Sequence, residues 1–151
     1  MWRWIQNAIG AFFEILSASK KEDTRENIAK ESRLPEVLFD DLIIVDRTPS
    51  NNLIGTKQFI EVVYNDVPRW AIFKCPCTCG NVISLPLQAS HSPRWKVTQS
   101  QAGRPTLYPS VWQNKGCMSH FWIEEGRVFW CNDSGIAPSV ARPDLYSRRK
   151  H

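Results

Sequence analysis

The chain has 151 residues, 42% of them hydrophobic and 23% charged, ordinary values for a globular domain. That length supplies one real core and leaves little room for a second domain. The 19 basic and 15 acidic residues leave a net charge of +4. Part of this excess is the tail Arg148-Arg149-Lys150, so charge alone argues for no nucleic-acid partner. Near the start, Trp2, Ile5, Ile9, Phe12 and Leu16 recur at spacings of three and four, which predicts an amphipathic helix over residues 2–18. Packing on protein is the favoured use of its apolar face, with membrane contact through its tryptophans the less favoured one. Gln6, Asn7 and Glu14 break the apolar run, so it reads neither as a membrane span nor as a secretory signal. The expected compartment is therefore reducing and intracellular. A charged linker follows, and the first unit is expected to cover residues 1–33.

From residue 34 the composition changes. Residues 38–46, 57–64, 69–75, 81–87 and 94–99 are rich in β-branched and aromatic side chains and read as strands. "SHFWI" and "VFWC", joined by "EEGR", form the clearest hairpin. After Cys131 the chain turns to loop residues with no clear period. The expected fold is β-rich (α+β). It comprises a small antiparallel β domain over residues 34–151 with a loop-rich tail, preceded by the N-terminal amphipathic helix.

Five cysteines stand in a suggestive pattern. Cys75, Cys77 and Cys79 alternate in "KCPCTCGN", Cys117 follows Gly116, and Cys131 ends the hairpin. In a reducing compartment such clusters bind metal more often than they form disulfides. Gly80 allows the positive φ of a metal-binding turn, although the one-residue gaps differ from the usual two-residue spacing. The expectation is a zinc-ribbon-like structural site built from four of Cys75, Cys77, Cys79, Cys117 and Cys131. Reduced cysteines packed as small hydrophobes are the alternative.

Ser110, in "LYPSVW", and His120, in "SHFW", are the candidates for chemistry. Strand alternation sends Ser119 and His120 to opposite faces, which separates these sequence neighbours. The "QNKG" loop lets the chain fold Ser110 back over the face that carries His120. An imidazole there would accept the serine proton. His91 lies in a polar loop and His151 in the charged tail, so both read as solvated. Asp133, Asp144 and Glu124 are all possible acidic partners for the imidazole, and a dyad needs none. Trp70, Trp95, Trp112, Trp122 and Trp130 are expected mainly in the core, with a peptide-binding groove as their second use. Taken alone, these residues leave a non-catalytic zinc-binding module for protein or nucleic-acid interaction open.

The ordered series "FKCPCTCGNVISLPL", "PRWKVT", "GRPTLYPSVW" and "GCMSHFWIEEGRVFWC" resembles a family of small bacterial proteins encoded in ubiquitination-like (Bub) operons. The resemblance runs from about Leu34 to Cys131. It implies a cytoplasmic serine protease with a Ser-His dyad, here Ser110 as nucleophile and His120 as general base. It also implies a ubiquitin-like protein as substrate, E1- and E2-like enzymes as possible partners, and a setting in antiphage immunity. Precursor processing and removal from targets are the two activities it suggests, and no nucleic acid is expected.

Overall fold

The β-branched and aromatic runs between Leu42 and Trp130 fold into eight strands arranged as two four-stranded sheets. The computed structural model describes residues 33–146 together with Lys20 and Thr24. The helix predicted over residues 2–18, most of the linker and His151 lie outside the described residues. The first sheet holds β1 (Leu42–Val45), β2 (Phe59–Tyr64), β3 (Val67–Lys74) and β4 (Val82–Pro86) in that order. The second holds β5 (Lys96–Gln99), β6 (Pro105–Trp112), β7 (His120–Glu124) and β8 (Arg127–Trp130).

Antiparallel pairing prevails, as the short Gly- and Pro-bounded runs predict. The exception is β1, which pairs parallel to β2. A parallel pair cannot be closed by a tight turn. The connection accordingly carries the 3-10 turn Asn51–Leu53 and buries Ile54 against Ile60, Val62 and Ile72 on one face of the first sheet. The tail after Cys131, expected as loop, holds two single-turn helices, Pro138–Ala141 and Pro143–Tyr146. Each begins with the proline that a first helical position favours.

One core joins the two sheets. Phe59, Ala71, Phe73, Ile83 and Leu85 from the first meet Leu107, Val111, Phe121 and Ile123 from the second. Phe73 reaches Phe121 edge-on at 6.4 Å between ring centroids. Phe39, just before β1, is fully buried and meets Phe59 and Phe73 edge-on at 5.6 and 5.7 Å. Each such side chain removed from water contributes about 1.5–3 kcal/mol. The tryptophans follow a different rule from the one expected. Trp122 is 43% exposed because its strand position faces away from the phenylalanine core, whereas Trp130, 49% exposed, lies opposite Phe121 at the end of β8 with its ring edge-on to that phenylalanine at 5.5 Å.

β6 is the strand that the sequence hides. Its two prolines argue against a central strand, yet it pairs with β5 on one side and β7 on the other. Pro105 stands at its first residue, and Pro109 stands where the ladder to β7 is interrupted. Both are positions at which a missing N–H costs no sheet hydrogen bond.

The β7–β8 turn also ties the segment before β1 to the second sheet. Glu125 and Gly126 both have positive φ, 47° and 73°, as a tight hairpin turn requires. The Gly126 N–H donates to the Pro105 carbonyl, and the Gly126 carbonyl accepts from both Leu38 and Phe39 amides. A Cβ on Gly126 would stand 2.0 Å from the Phe39 oxygen. Gly126→Ala is therefore expected to lower unfolding free energy by about 1–3 kcal/mol from backbone strain, with more from the clash. Denaturant titration checks this, and an unchanged midpoint contradicts it.

Candidate active site and metal centre

The geometry of the site starts from the register of β6 on β7. Leu107 pairs with Ile123, and Val111 and Trp112 pair with Phe121 and His120. Tyr108, Pro109 and Ser110 thus share the single opposing position of Trp122. The excess is two residues, so the bulge shifts the pairing without changing which side chains of β6 face inward. Beyond it, Val111 points into the core, while Ser110 and Trp112 share the face of His120.

On that face Ser110 Oγ lies 3.0 Å from His120 Nε2. His120 Nδ1 lies 2.6 Å from Asp133 Oδ1. With its proton on Nδ1, the ring donates to the Asp133 carboxylate and accepts the Ser110 hydroxyl proton at Nε2. The ring is fixed from several sides. Trp112 stacks on it at 4.2 Å with an interplanar angle of 3°, and the Trp112 indole N–H donates to the Ile136 carbonyl. The His120 amide donates to Ser134 Oγ, and the His120 carbonyl accepts from the Cys131 amide. Trp95 Nε1 donates to the Ser110 carbonyl at 3.3 Å. The His120 side chain is 14% exposed and that of Asp133 34%, so the imidazole is sheltered and the carboxylate half-open.

Of the acidic candidates, the structure places Asp133 at the imidazole. Asp144 pairs instead with Arg142 at 3.2 Å, and Glu124 stands at the far end of β7 opposite Arg127. The sequence holds a faint sign of Asp133: "CNDSG", directly after a strand, is a turn signal. That turn returns the chain to the first residue of β7. Ser119 faces inward, 3% exposed, and its hydroxyl donates to Cys117 Sγ at 3.1 Å. His91 is exposed beside Ser90 and the edge of Trp70.

Four of the five cysteines converge. The sulfurs of Cys75, Cys77, Cys79 and Cys117 all lie within 4.8 Å of one another. The first three come from the turn between β3 and β4, and Cys117 comes from the loop between β6 and β7. Thr78 and Gly80 adopt positive φ in the first turn, and Gly116 and Met118 in the second. The Cys75–Cys77 and Cys75–Cys117 sulfur distances are 3.3 and 3.8 Å. Both exceed a disulfide bond of about 2.05 Å. A tetrahedral site with metal–sulfur bonds of about 2.3 Å has edges of about 3.8 Å, which the cluster fits. Burial pushes the Cys75 thiol up. Burial also pushes Cys77 upward, but hydrogen bonds from the Ser119 hydroxyl, the Cys79 amide and neighbouring thiols outweigh it and hold Cys77 down at about 6. Cys131 stands apart from this cluster, beside His120 and Asp133.

Two hollows flank the Ser110 strand. One, of about 330 Å³, lies on the His120 face between Thr106, Tyr108, Trp122, Glu124 and Phe129. The other, of about 500 Å³, includes Glu61, Leu87, Arg94, Trp95, Tyr108 and Pro109. Burial raises the carboxyl pKa of Glu61 above its ordinary 4.5. A carboxyl raised by folding makes its ionised form a cost to the fold, present above the folded pKa and absent once pH falls below the unfolded value. Glu61→Gln is expected to raise the urea midpoint at pH 7 and to leave it unchanged near pH 3.5. A loss of stability at pH 7 would contradict this.

A serine hydroxyl held on an imidazole that is backed by a carboxylate is the arrangement used by serine hydrolases. A family model described as "Bacterial ubiquitination-like system serine protease (BubE)" matches residues 44–131, more than half of the chain. The chain belongs to this BubE family, whose name makes it a serine protease of a bacterial ubiquitination-like system. The matched span includes Ser110, His120 and all five cysteines, and ends two residues before Asp133. No curated protein and no solved structure matches the chain. Among the described residues no helix is long and apolar enough to cross a membrane.

The four-sulfur cluster generates a direct expectation. Elemental analysis of purified protein should find one tightly held metal ion per chain, reduced in Cys117→Ser and retained in Cys131→Ser. Metal-free wild-type protein would contradict the fit.

Proposed function

We propose that the protein is a serine peptidase acting at the C-terminal end of a bacterial ubiquitin-like protein, either trimming its precursor or releasing it from targets. The alignment of Ser110 Oγ, His120 Nε2, His120 Nδ1 and Asp133 Oδ1 carries this reading. Ser110 attacks the scissile carbonyl while His120 takes the hydroxyl proton, forming the tetrahedral adduct. His120 then gives that proton to the leaving amine, and water, activated by the same ring, releases the acyl group. Asp133 extends the expected dyad to a triad. It holds the proton on Nδ1 and stabilises the imidazolium as it forms. The oxyanion needs donors, and the Ser110 amide is the local one, since Pro109 has none and the Val111 amide points to Phe121 in the ladder.

The Tyr108–Trp122 hollow is the proposed seat of the substrate tail. It opens on the same sheet face as Ser110, and its two rings stand 6.3 Å apart. Zinc is the proposed metal of the Cys75, Cys77, Cys79 and Cys117 cluster, because four thiolates at tetrahedral spacing suit it. Bound there, it would cross-link the two turns and take no part in proton transfer. The E1- and E2-like enzymes of the same system are proposed partners, in the cytoplasm. A non-catalytic module accounts for the cysteines but gives the Ser110–His120–Asp133 alignment no use.

Cleavage of the neighbouring ubiquitin-like precursor tests the reading. Ser110→Ala and His120→Ala should each lower kcat by about 10⁴-fold or more. Asp133→Asn should lower it on the order of 10³–10⁴-fold with KM little changed. Trp122→Ala should instead raise KM about tenfold, as loss of one aromatic anchor does. Equal cleavage by wild type and Ser110→Ala sinks the assignment.

A further inference from the structure

Cys131 has no part in the proposed proton relay, yet it stands beside two of its members, His120 and Asp133. A ring nitrogen of His120, the Cys131 sulfur and an Asp133 carboxylate oxygen all lie within 4.8 Å of one another. All three residues are partly buried. Backbone bonds hold them together: the Cys131 amide donates to the His120 carbonyl, and the Ser134 amide donates to the Cys131 carbonyl. One thiol, one imidazole and one carboxylate form a mixed soft and borderline donor set. Such a set suits Zn²⁺ and is poor for Mg²⁺ or Ca²⁺, which take oxygen ligands. Three protein ligands and one open position make a common zinc geometry, with ligand distances of about 2.0–2.3 Å. Asp133 lies in the turn after β8 with its carboxylate half-open to solvent.

We propose that His120, Cys131 and Asp133 form a second, reversible Zn²⁺ site, distinct from the four-cysteine cluster, and that zinc bound there switches the peptidase off. The inference rests on the serine-peptidase reading for its effect, though the site itself does not. On binding, the Cys131 thiol gives its proton to solvent and the thiolate becomes a ligand. The neutral imidazole donates a lone pair. If Nδ1 binds the ion, the ring proton resides on Nε2, so the ring can no longer accept the proton of Ser110. If Nε2 binds the ion, the basic lone pair is itself occupied. In both cases Asp133 is drawn from its hydrogen bond to the metal. Cys131 thus makes the triad sensitive to free zinc, a property that serine, histidine and aspartate alone would show only weakly.

The test uses the full chain with its four-cysteine cluster loaded, beside Cys131→Ser. Zn²⁺ alone is titrated in competition with a chromophoric chelator, and labelling by a fluorophosphonate is followed in parallel. The wild type should take up a second equivalent and lose labelling rate at least tenfold at saturation, and Cys131→Ser should bind that equivalent at least about tenfold more weakly. Without added zinc the variant should be labelled at the wild-type rate, which shows that its fold and relay are intact. Uptake of only one equivalent by the wild type, or identical zinc response in both proteins, overturns the proposal. If a second equivalent binds through Cys131 but Ser110 is never labelled, the metal site stands and the peptidase reading fails.

Discussion

Three residues of β6 against one of β7 set the geometry on which the site depends. Continued without the bulge from Leu107 on Ile123, the ladder would set Ser110 directly opposite His120; the two extra residues place Trp112 there instead, stacked on the ring, with Ser110 beside it. The bulge absorbs the extra length at a proline, where no ladder bond is lost. Its two extra residues keep the alternation intact, so Val111 stays in the core while Ser110 and Trp112 share the outer face. The same period of two buries Ser119 against the cysteine cluster and sends its neighbour His120 to the opposite face. One hairpin thereby faces the four-cysteine cluster on one side and carries the hydrogen-bonded Ser110–His120 pair on the other.

Two other constraints keep that hairpin in place. The phenylalanine layer, running from Phe39 and Phe59 through Phe73 to Phe121, fastens the first sheet beneath the second. The four sulfurs gather the β3–β4 turn and the β6–β7 loop at one point. The loop joining the serine strand to the histidine strand is thus the one that supplies Cys117. A metal bound there would restrict the separation of Ser110 and His120 without any contact to the substrate. Asp133 is held less firmly: its turn is anchored through Ser134 and Gly135 to β7, and its carboxylate remains partly open.

Much of this was legible in the residues. Five strand runs, the "EEGR" hairpin and the clustering of Cys75, Cys77 and Cys79 follow from alternation, turn chemistry and spacing. Strand alternation alone separated Ser119 from His120. β6 was hidden because proline propensity speaks against a strand, while tertiary pairing on both sides overrides it. The fourth cysteine of the cluster and the carboxylate partner of His120 were open for a related reason. Cys117 and Cys131 are both long-range neighbours of other residues, and only the register of β6 on β7 decides which joins the cluster. Asp133 is thirteen residues from His120 and reaches it through a tight turn after β8. The outward position of Trp122 and the open strand-end position of Trp130 were obscured by size, since large aromatic residues in a small domain are usually core.

The central claim is that Ser110 is an activated nucleophile. The most direct measurement is peptide mapping by mass spectrometry of native protein after reaction with a serine-reactive fluorophosphonate. The account predicts a single adduct on Ser110, absent when His120 is replaced by alanine. An adduct on Ser119 or any other residue, or none on native protein, would contradict it.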